Sequence, residues 1–196
     1  MLRKSIVVFL VVLLSACTAS PTPLPTPSDA QIDTEQQAVY TALLKKLYSA
    51  SNYVIMDTTA TSPAGVSDTS ATLGRMIQNM QGVDQATADS FLARNDSAYP
   101  VPPSMDLGSS YALLSQTVMR QIFSQNRDGW QLFYEQFPAA PGITTLSRVG
   151  FNTSLSQALV YVGTLSHWLA GAGYYVLLKK VNGTWIVDQQ VMSWVS

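Results

Sequence analysis

The sequence predicts an α+β fold, in which N-terminal helices pack on a curled, mainly antiparallel C-terminal sheet. Apolar residues recur at helical spacing in the first two-thirds of the chain, whereas several runs after Thr145 are rich in Val, Tyr, Trp and Leu. The chain has 196 residues, of which 47% are hydrophobic. Because such a chain buries a sizeable core, we expect one folded domain.

The first sixteen residues have the three parts of a secretory signal peptide. Arg3 and Lys4 form a short basic start, residues 6–14 are an uninterrupted apolar run, and two small residues precede Cys17. A helix that crosses a bilayer needs about 20 apolar residues. The run is shorter than that, so we expect residues 1–16 to be cleaved and the protein to be exported.

The segment Leu14-Ser15-Ala16-Cys17 resembles the lipobox of bacterial lipoproteins, in which a small residue precedes the cysteine that becomes the new N-terminus. The resemblance implies that the Cys17 thiol carries a diacylglyceryl group, so that membrane lipid is a partner through this residue. Two or more acyl chains anchor a protein stably. We therefore expect the protein on the bacterial cell membrane or outer membrane. The alternative is an ordinary signal peptide with a coincidental cysteine.

Residues 17–32 predict a tether between the anchor and the domain. Four prolines fall within residues 18–28, and they favour extended polyproline II over a helix. At roughly 3.1 Å per residue, residues 18–30 would hold the folded domain about 40 Å from the lipid surface. The domain is then expected to span residues 33–196.

Helical signals dominate the part of the domain before Thr145. Asp33-Thr34-Glu35-Gln36 has the form of a capping box, and the apolar spacing that follows predicts a helix over about 34–50. The run Tyr53–Met56 predicts a short buried strand, and residues 58–69 predict a loop. Further elements are predicted in this order: helices around 73–80 and over 84–94, a strand at 111–114, and helices at 118–123 and 128–137.

The helix predicted at 128–137 carries an aromatic stripe, Trp130, Phe133, Tyr134 and Phe137. Large aromatic side chains dominate core burial, so we interpret this stripe as packing against the sheet. The alternative is a platform on which sugars stack.

Four β-prone runs follow, at 146–151, 157–165, 174–181 and 184–195. The pair Asn182-Gly183 separates the last two, and Asn-Gly favours a two-residue type I′ turn. We therefore expect a tight hairpin at the C-terminus. The sequence leaves open whether the strands at 53–56 and 111–114 join this sheet.

The C-terminal fifty residues resemble a pattern in uncharacterised bacterial secreted and lipid-anchored proteins. The resemblance is carried by residues 147–152, 157–161, 173–180 and 182–185. The arrangement also looks, more loosely, like the cone-shaped α+β domains of the nuclear-transport-factor-2-like type. That likeness implies a helix packed into a bent sheet with a pocket between them, and it supplies no catalytic residue.

Composition and motifs exclude several kinds of function. Lys and Arg number 11 against 12 Asp and Glu, and this near balance argues against nucleic acid as a partner. One cysteine and one histidine exclude a zinc site built from several such ligands. The chain contains no nucleophile elbow, no His-Glu-x-x-His motif and no phosphate or dinucleotide loop. We therefore expect no metal and no cofactor.

A few residues remain as candidates for a site. His167 is the sole imidazole, and with Asp57 it forms the candidate catalytic pair of a general base and a carboxylate, although each also has a structural interpretation. Arg148 lies in a β-prone run and could bind an anion or simply extend along the sheet to solvent. The candidates for ligand binding are Arg148, Trp168, Tyr174 and Trp185.

Three functions are compatible with these features. The first is a lipid-anchored, non-catalytic binding or interaction module whose partner is a small molecule or an envelope protein. The second is a hydrolase or isomerase that uses His167 with an aspartate such as Asp57. The third is a structural factor in envelope assembly.

Overall fold

The computed structural model describes residues 26–47, 52–61, 69–124 and 128–196. Within these ranges the chain forms five helices and one open sheet of seven strands, which confirms the predicted α+β class. The predicted signal peptide, Cys17 and most of the proline-rich segment lie outside the described residues. No helix in the described part of the chain is both long enough and apolar enough to cross a membrane.

The helices come before or between the strands of the first two-thirds of the chain. They are α1 (Asp29–Leu47), α2 (Thr69–Gln78), α3 (Gln85–Arg94), α4 (Gln116–Phe123) and α5 (Gly129–Gln136). Side-chain caps begin α3, α4 and α5: Asp84, Ser115 and Asp128 each accept a hydrogen bond from a backbone N–H of the first turn.

The strands are β1 (Asn52–Met56), β2 (Ser110–Leu114), β3 (Ile143–Leu146), β4 (Gly150–Phe151), β5 (Gln157–His167), β6 (Ala170–Val181) and β7 (Thr184–Val195). Their order across the sheet is β2-β1-β3-β5-β6-β7, and β4 pairs with β5 beyond the end of β3. The pairings among β3 to β7 are antiparallel, whereas β1 runs parallel to both β2 and β3. Both early strands therefore join the C-terminal sheet.

The start of α1 corrects two predictions. The helix begins at Asp29, so the residues that cap it are Ser28 and Gln31 rather than Asp33 and Gln36. The backbone N–H of Gln31 donates to Ser28 Oγ at 3.3 Å, and the N–H of Ser28 donates to Gln31 Oε1 at 2.9 Å. This reciprocal pair is a capping box one turn earlier than predicted. Residues 29–32, which the sequence assigned to the tether, are therefore helical.

The predicted strand at 146–151 is divided into two. At Ser147 the side-chain Oγ takes the place of the backbone carbonyl: it accepts from the N–H of Tyr161 at 2.8 Å, while the Ser147 N–H still donates to the Tyr161 carbonyl at 3.0 Å. The next residue, Arg148, is held by the Asn95 side chain, to which its N–H donates at 2.8 Å. Residues 147–149 thus bulge toward the end of α3, and β4 resumes the pairing with β5.

The sheet carries helices on both faces. On one face, Val39, Tyr40 and Leu43 of α1 pack over the middle of the sheet, in a cluster that includes Val160 and Val176. The opposite face has two separate clusters. One joins α2 and α3 to β5 and β6, and the other joins α4 and α5 to β1, β2 and β3.

The C-terminal hairpin forms as the sequence predicts. Asn182 and Gly183 have φ values of 49° and 80°, the left-handed conformations that a type I′ turn requires. Residues Val181 and Thr184 pair across the turn, and the ladder continues to the end of β7. The buried strand at 53–56 and the helix over 84–94 are also confirmed.

Candidate functional site

A groove runs beside α4 on the sheet face that carries α4 and α5. It consists of two adjoining hollows of about 270 and 280 Å³, which share Met119, Ile143 and Leu165. We call it the central groove. Ile143 and Leu165 are cross-strand neighbours on β3 and β5 and form its floor, while α4 forms a wall. Small-molecule sites typically enclose about 300–1,000 Å³, so the joined hollows are large enough for a small ligand.

Aromatic rings line one end of the central groove, which we call the aromatic end. Phe123, Trp130, His167 and Trp168 meet there, together with the exposed side chain of Arg120. The rings of Trp130 and His167 stack with centroids 6.2 Å apart and planes 17° apart. Phe123 contacts both indoles edge to face, at 5.0 Å from Trp130 and 5.7 Å from Trp168. The opposite end has more hydroxyl groups, from Thr58, Thr59 and Thr145.

Trp168 is largely exposed to solvent, yet a hydrogen bond fixes the orientation of its indole. Its side chain is 59% exposed, and its indole N–H donates to Asp128 Oδ1 at 3.3 Å. The same oxygen accepts from the backbone N–H of Trp130 and so caps α5. The cap of α5 therefore also orients the Trp168 indole at the rim of the central groove.

Trp130 has a polar group without a partner. Its side chain is 4% exposed, and Nε1 has no hydrogen-bond acceptor within the described residues. Buried donors are nearly always satisfied, and leaving one unmade costs about 1–3 kcal/mol. Trp130 contributes its ring to the groove wall, whereas its Nε1 atom is buried and not accessible from the groove.

The structure separates the two residues of the candidate catalytic pair. His167 ends β5 beside the first residues of β3, and Asp57 follows the last residue of β1. Because β1 and β3 are parallel, these positions lie at opposite ends of the β1–β3 pair. Only His167 lines the central groove, and its imidazole forms no hydrogen bond within the described part of the chain.

The candidate ligand-binding residues are dispersed as well. Trp168 alone lies in the central groove, whereas Tyr174 faces α1 and Trp185 is buried against it at 4% exposure. Arg148 lies near the end of α3, with its guanidinium 4.2 Å from the ring centroid of Tyr99. The four residues therefore do not form one site.

Sequence reasoning missed several residues of the central groove. Met119, Phe123 and Ile143 had no distinguishing pattern, because an apolar residue on a helix or strand looks the same whether it lines a groove or a core. Trp130 was assigned to the core, and it is indeed buried with Phe133. The cap at Asp128 was the one local signal that bears on the site, since it also positions Trp168.

A further hollow of about 400 Å³ lies on the α1 side, near Leu47, Ala172 and Gln190. Its lining is mostly small or polar, and it brings no aromatic cluster together. Among the residues that the structure describes, no three His, Cys, Asp or Glu side chains are grouped as ligands of a metal ion would be. The central groove is therefore the candidate binding site.

No family model matches this chain, and neither the curated proteins nor the solved structures contain a significant match.

Proposed function

We propose that this chain is a lipid-anchored protein of the bacterial cell envelope that binds an apolar, partly aromatic small molecule in the central groove, without catalysis. The observation that supports it most directly is the exposed Trp168, which is held by Asp128 at the rim of an otherwise apolar groove. The lipobox at residues 14–17, the export signal and the proline-rich tether support the location.

The chemistry of the groove favours a flat ligand. The rings of Phe123, Trp130 and Trp168 offer edges and faces to an aromatic guest, and such contacts contribute about 0.5–1.5 kcal/mol beyond their buried area. Burial of about 150 Å² of apolar surface contributes roughly 4 kcal/mol before the entropic cost of association is subtracted, so buried area alone gives weak binding. The ring contacts add to this contribution.

Binding is tested with N-phenyl-1-naphthylamine, a neutral fluorescent probe, added to the full chain in a neutral detergent. We expect saturable binding that weakens about tenfold in Trp168→Ala, because the variant removes one wall of the aromatic end. The matched control is Leu169→Ala. This neighbour is 83% exposed and does not line the groove, so its loss should leave binding unchanged. Absence of saturable binding, or equal affinity in all three proteins, would contradict the proposal.

The absence of catalysis is tested separately with His167→Ala. In a binding module the imidazole acts as part of the wall, so we expect a change in probe affinity of a few-fold and no loss of any turnover. An ester or amide hydrolysis activity that is present in the wild type and lost in His167→Ala would establish the enzyme alternative instead.

The anchor is tested with Cys17→Ser. We expect the variant to lose the acyl mass at its N-terminus and to leave the membrane fraction, while the matched variant Ser20→Ala keeps both. A Cys17→Ser chain with unchanged N-terminal mass and membrane partition would overturn the lipidation.

A further inference from the structure

Two arginines converge at the end of α3, away from the central groove. Arg94 is the last residue of α3, and Arg148 lies in the bulge between β3 and β4. The Asn95 side chain joins them: it accepts from the N–H of Arg148 at 2.8 Å and donates to the Arg148 carbonyl at 3.0 Å. Nη1 of Arg148 reaches the carbonyl of Arg94 at 3.5 Å, which places the guanidinium beside the backbone of its partner.

The two guanidinium groups have few acceptors. Each carries five N–H donors. Arg94 donates to Gln36 Oε1 at 3.2 Å, and the one acceptor of the Arg148 guanidinium among the described residues is the Arg94 carbonyl, at the long distance of 3.5 Å. The Nε atoms of both are buried without a partner among the described residues. Most of the donor capacity of this pair is therefore unused.

The charges of the pair are also uncompensated. Within the described part of the chain, no carboxylate lies within 4.0 Å of either guanidinium. Burial, and then the neighbouring charge of Arg148, lower the pKa of Arg94, while the more distant Asp33 and Asp29 act in the opposite direction. Two half-buried like charges without a counterion are unfavourable, and an anion between them would relieve the repulsion.

We propose that Arg94 and Arg148 together bind a phosphate group of a small soluble molecule. A phosphate carries a charge of about −1.5 to −2 near pH 7, which matches two guanidinium groups better than a single carboxylate does. The planar fork of arginine suits the geometry of phosphate oxygens. Tyr99 lies beneath the Arg148 guanidinium at 4.2 Å and is half exposed, so the site opens to solvent on that side.

The charge around the two arginines favours a phosphate on a small soluble molecule over the phosphate of a lipid headgroup. Asp29 and Asp33 lie on the first turns of α1, on the helix whose Gln36 bonds Arg94. An anionic membrane surface would be repelled by these carboxylates, whereas a small phosphate can approach between the arginines.

The test is calorimetric titration of inorganic phosphate into the full chain, in a neutral sugar detergent that contains no phosphate. We expect saturable binding that weakens at least tenfold in Arg94→Gln and in Arg148→Gln. Arg75→Gln, an exposed arginine on α2, makes the same change of charge and should bind as the wild type does. Acetate at equal ionic strength should bind at least tenfold more weakly than phosphate.

Three outcomes would overturn the proposal: no phosphate binding in the wild type, an equal loss in Arg75→Gln, or equal affinity for acetate. Calorimetric binding of phosphatidylglycerol without binding of inorganic phosphate would contradict the proposal that the phosphate belongs to a soluble molecule. Where a glutamine variant fails to fold, as judged by circular dichroism, Arg94→Lys and Arg148→Lys replace it. They keep the charge but lose the fork, so we expect several-fold weaker binding. Asp33→Asn should tighten binding, because it removes a competing carboxylate.

Discussion

Glu35 accepts a hydrogen bond from the indole N–H of Trp185 at 2.7 Å, although 150 residues separate the two in the chain. The other carboxylate oxygen of Glu35 accepts from Lys180 Nζ, so one side chain on α1 holds both strands of the C-terminal hairpin. The ammonium of Lys180 also lies 5.4 Å from the Trp185 ring. Glu35 therefore ties the first helix of the domain to its last two strands.

Removal of this carboxylate should destabilise the domain. Glu35→Ala leaves the nearly buried Trp185 indole without its acceptor and Lys180 without its counterion, and we expect a loss of about 1–3 kcal/mol in the free energy of unfolding. Urea denaturation measures it. Glu135→Ala removes an exposed glutamate on α5 and should change the stability by less than about 0.5 kcal/mol. Equal effects of the two substitutions would contradict this role of Glu35.

Gly173→Ala and Gly74→Ala should change stability in opposite directions. A Cβ at Gly173 would lie 2.1 Å from Nε1 of Trp194, which displaces the indole and breaks its 2.7 Å hydrogen bond to the Tyr161 hydroxyl. We expect a loss of about 1–3 kcal/mol. A Cβ at Gly74, within α2, would meet nothing within 4 Å, so alanine should stabilise the helix by about 0.5–1 kcal/mol. Thermal unfolding of both variants tests these two predictions. A Gly173→Ala variant as stable as the wild type would contradict the close contact between Gly173 and the Trp194 indole.

Two buried tyrosines should respond differently to loss of the hydroxyl. Tyr40 donates to the Ser147 carbonyl at 2.8 Å, so Tyr40→Phe should cost about 1 kcal/mol. The hydroxyl of Tyr175 has no partner among the described residues, so Tyr175→Phe should be neutral or stabilising at pH 7. Denaturation of the two variants side by side measures the difference. A clear destabilisation by Tyr175→Phe would show that its hydroxyl is paired in solution.

Alkaline pH should weaken the fold through the same residues. Burial raises the pKa of both Tyr40 and Tyr175 above the ordinary value of about 10. Above that value the unfolded chain loses the phenolic protons while the folded chain keeps them. The contribution of these two tyrosines to the free energy of unfolding is therefore fully present below about pH 10. Above that pH, each tyrosine lowers the free energy of unfolding by about 1.4 kcal/mol per pH unit, until the pH reaches its pKa in the folded state. The stability of Tyr175→Phe relative to wild type should rise from pH 10 to 11, and a constant difference would contradict the shift.

Asp128 should matter for both the helix and the groove. Asp128→Ala removes the cap of α5 and the acceptor of Trp168, so we expect a loss of about 0.5–2 kcal/mol in stability and weaker binding of N-phenyl-1-naphthylamine. Asp128→Asn keeps an oxygen at the cap and should restore most of both properties. A variant with alanine that binds the probe as wild type does would show that Trp168 needs no anchor.

Structural features that depend only on residues close together in the chain could be predicted from the sequence. Asp84 and Asp128 were placed at the starts of helices because a cap acts within one turn. The hairpin at Asn182-Gly183 follows from the conformations that those two residues adopt. Ser28 was overlooked because a second sequence of capping-box form begins five residues later, and the choice between them depends on what the helix packs against.

The sequence by itself determined the α+β class, nearly all of the elements and the motif that predicts a lipid anchor, since each of these is written within a few consecutive residues. Only the tertiary structure decided that β1 runs parallel between β2 and β3, that Trp130 and His167 stack in one groove, and that Arg94 lies beside Arg148. Those relationships join residues that are distant in the chain. They depend on how whole elements pack, and local preferences do not encode that packing.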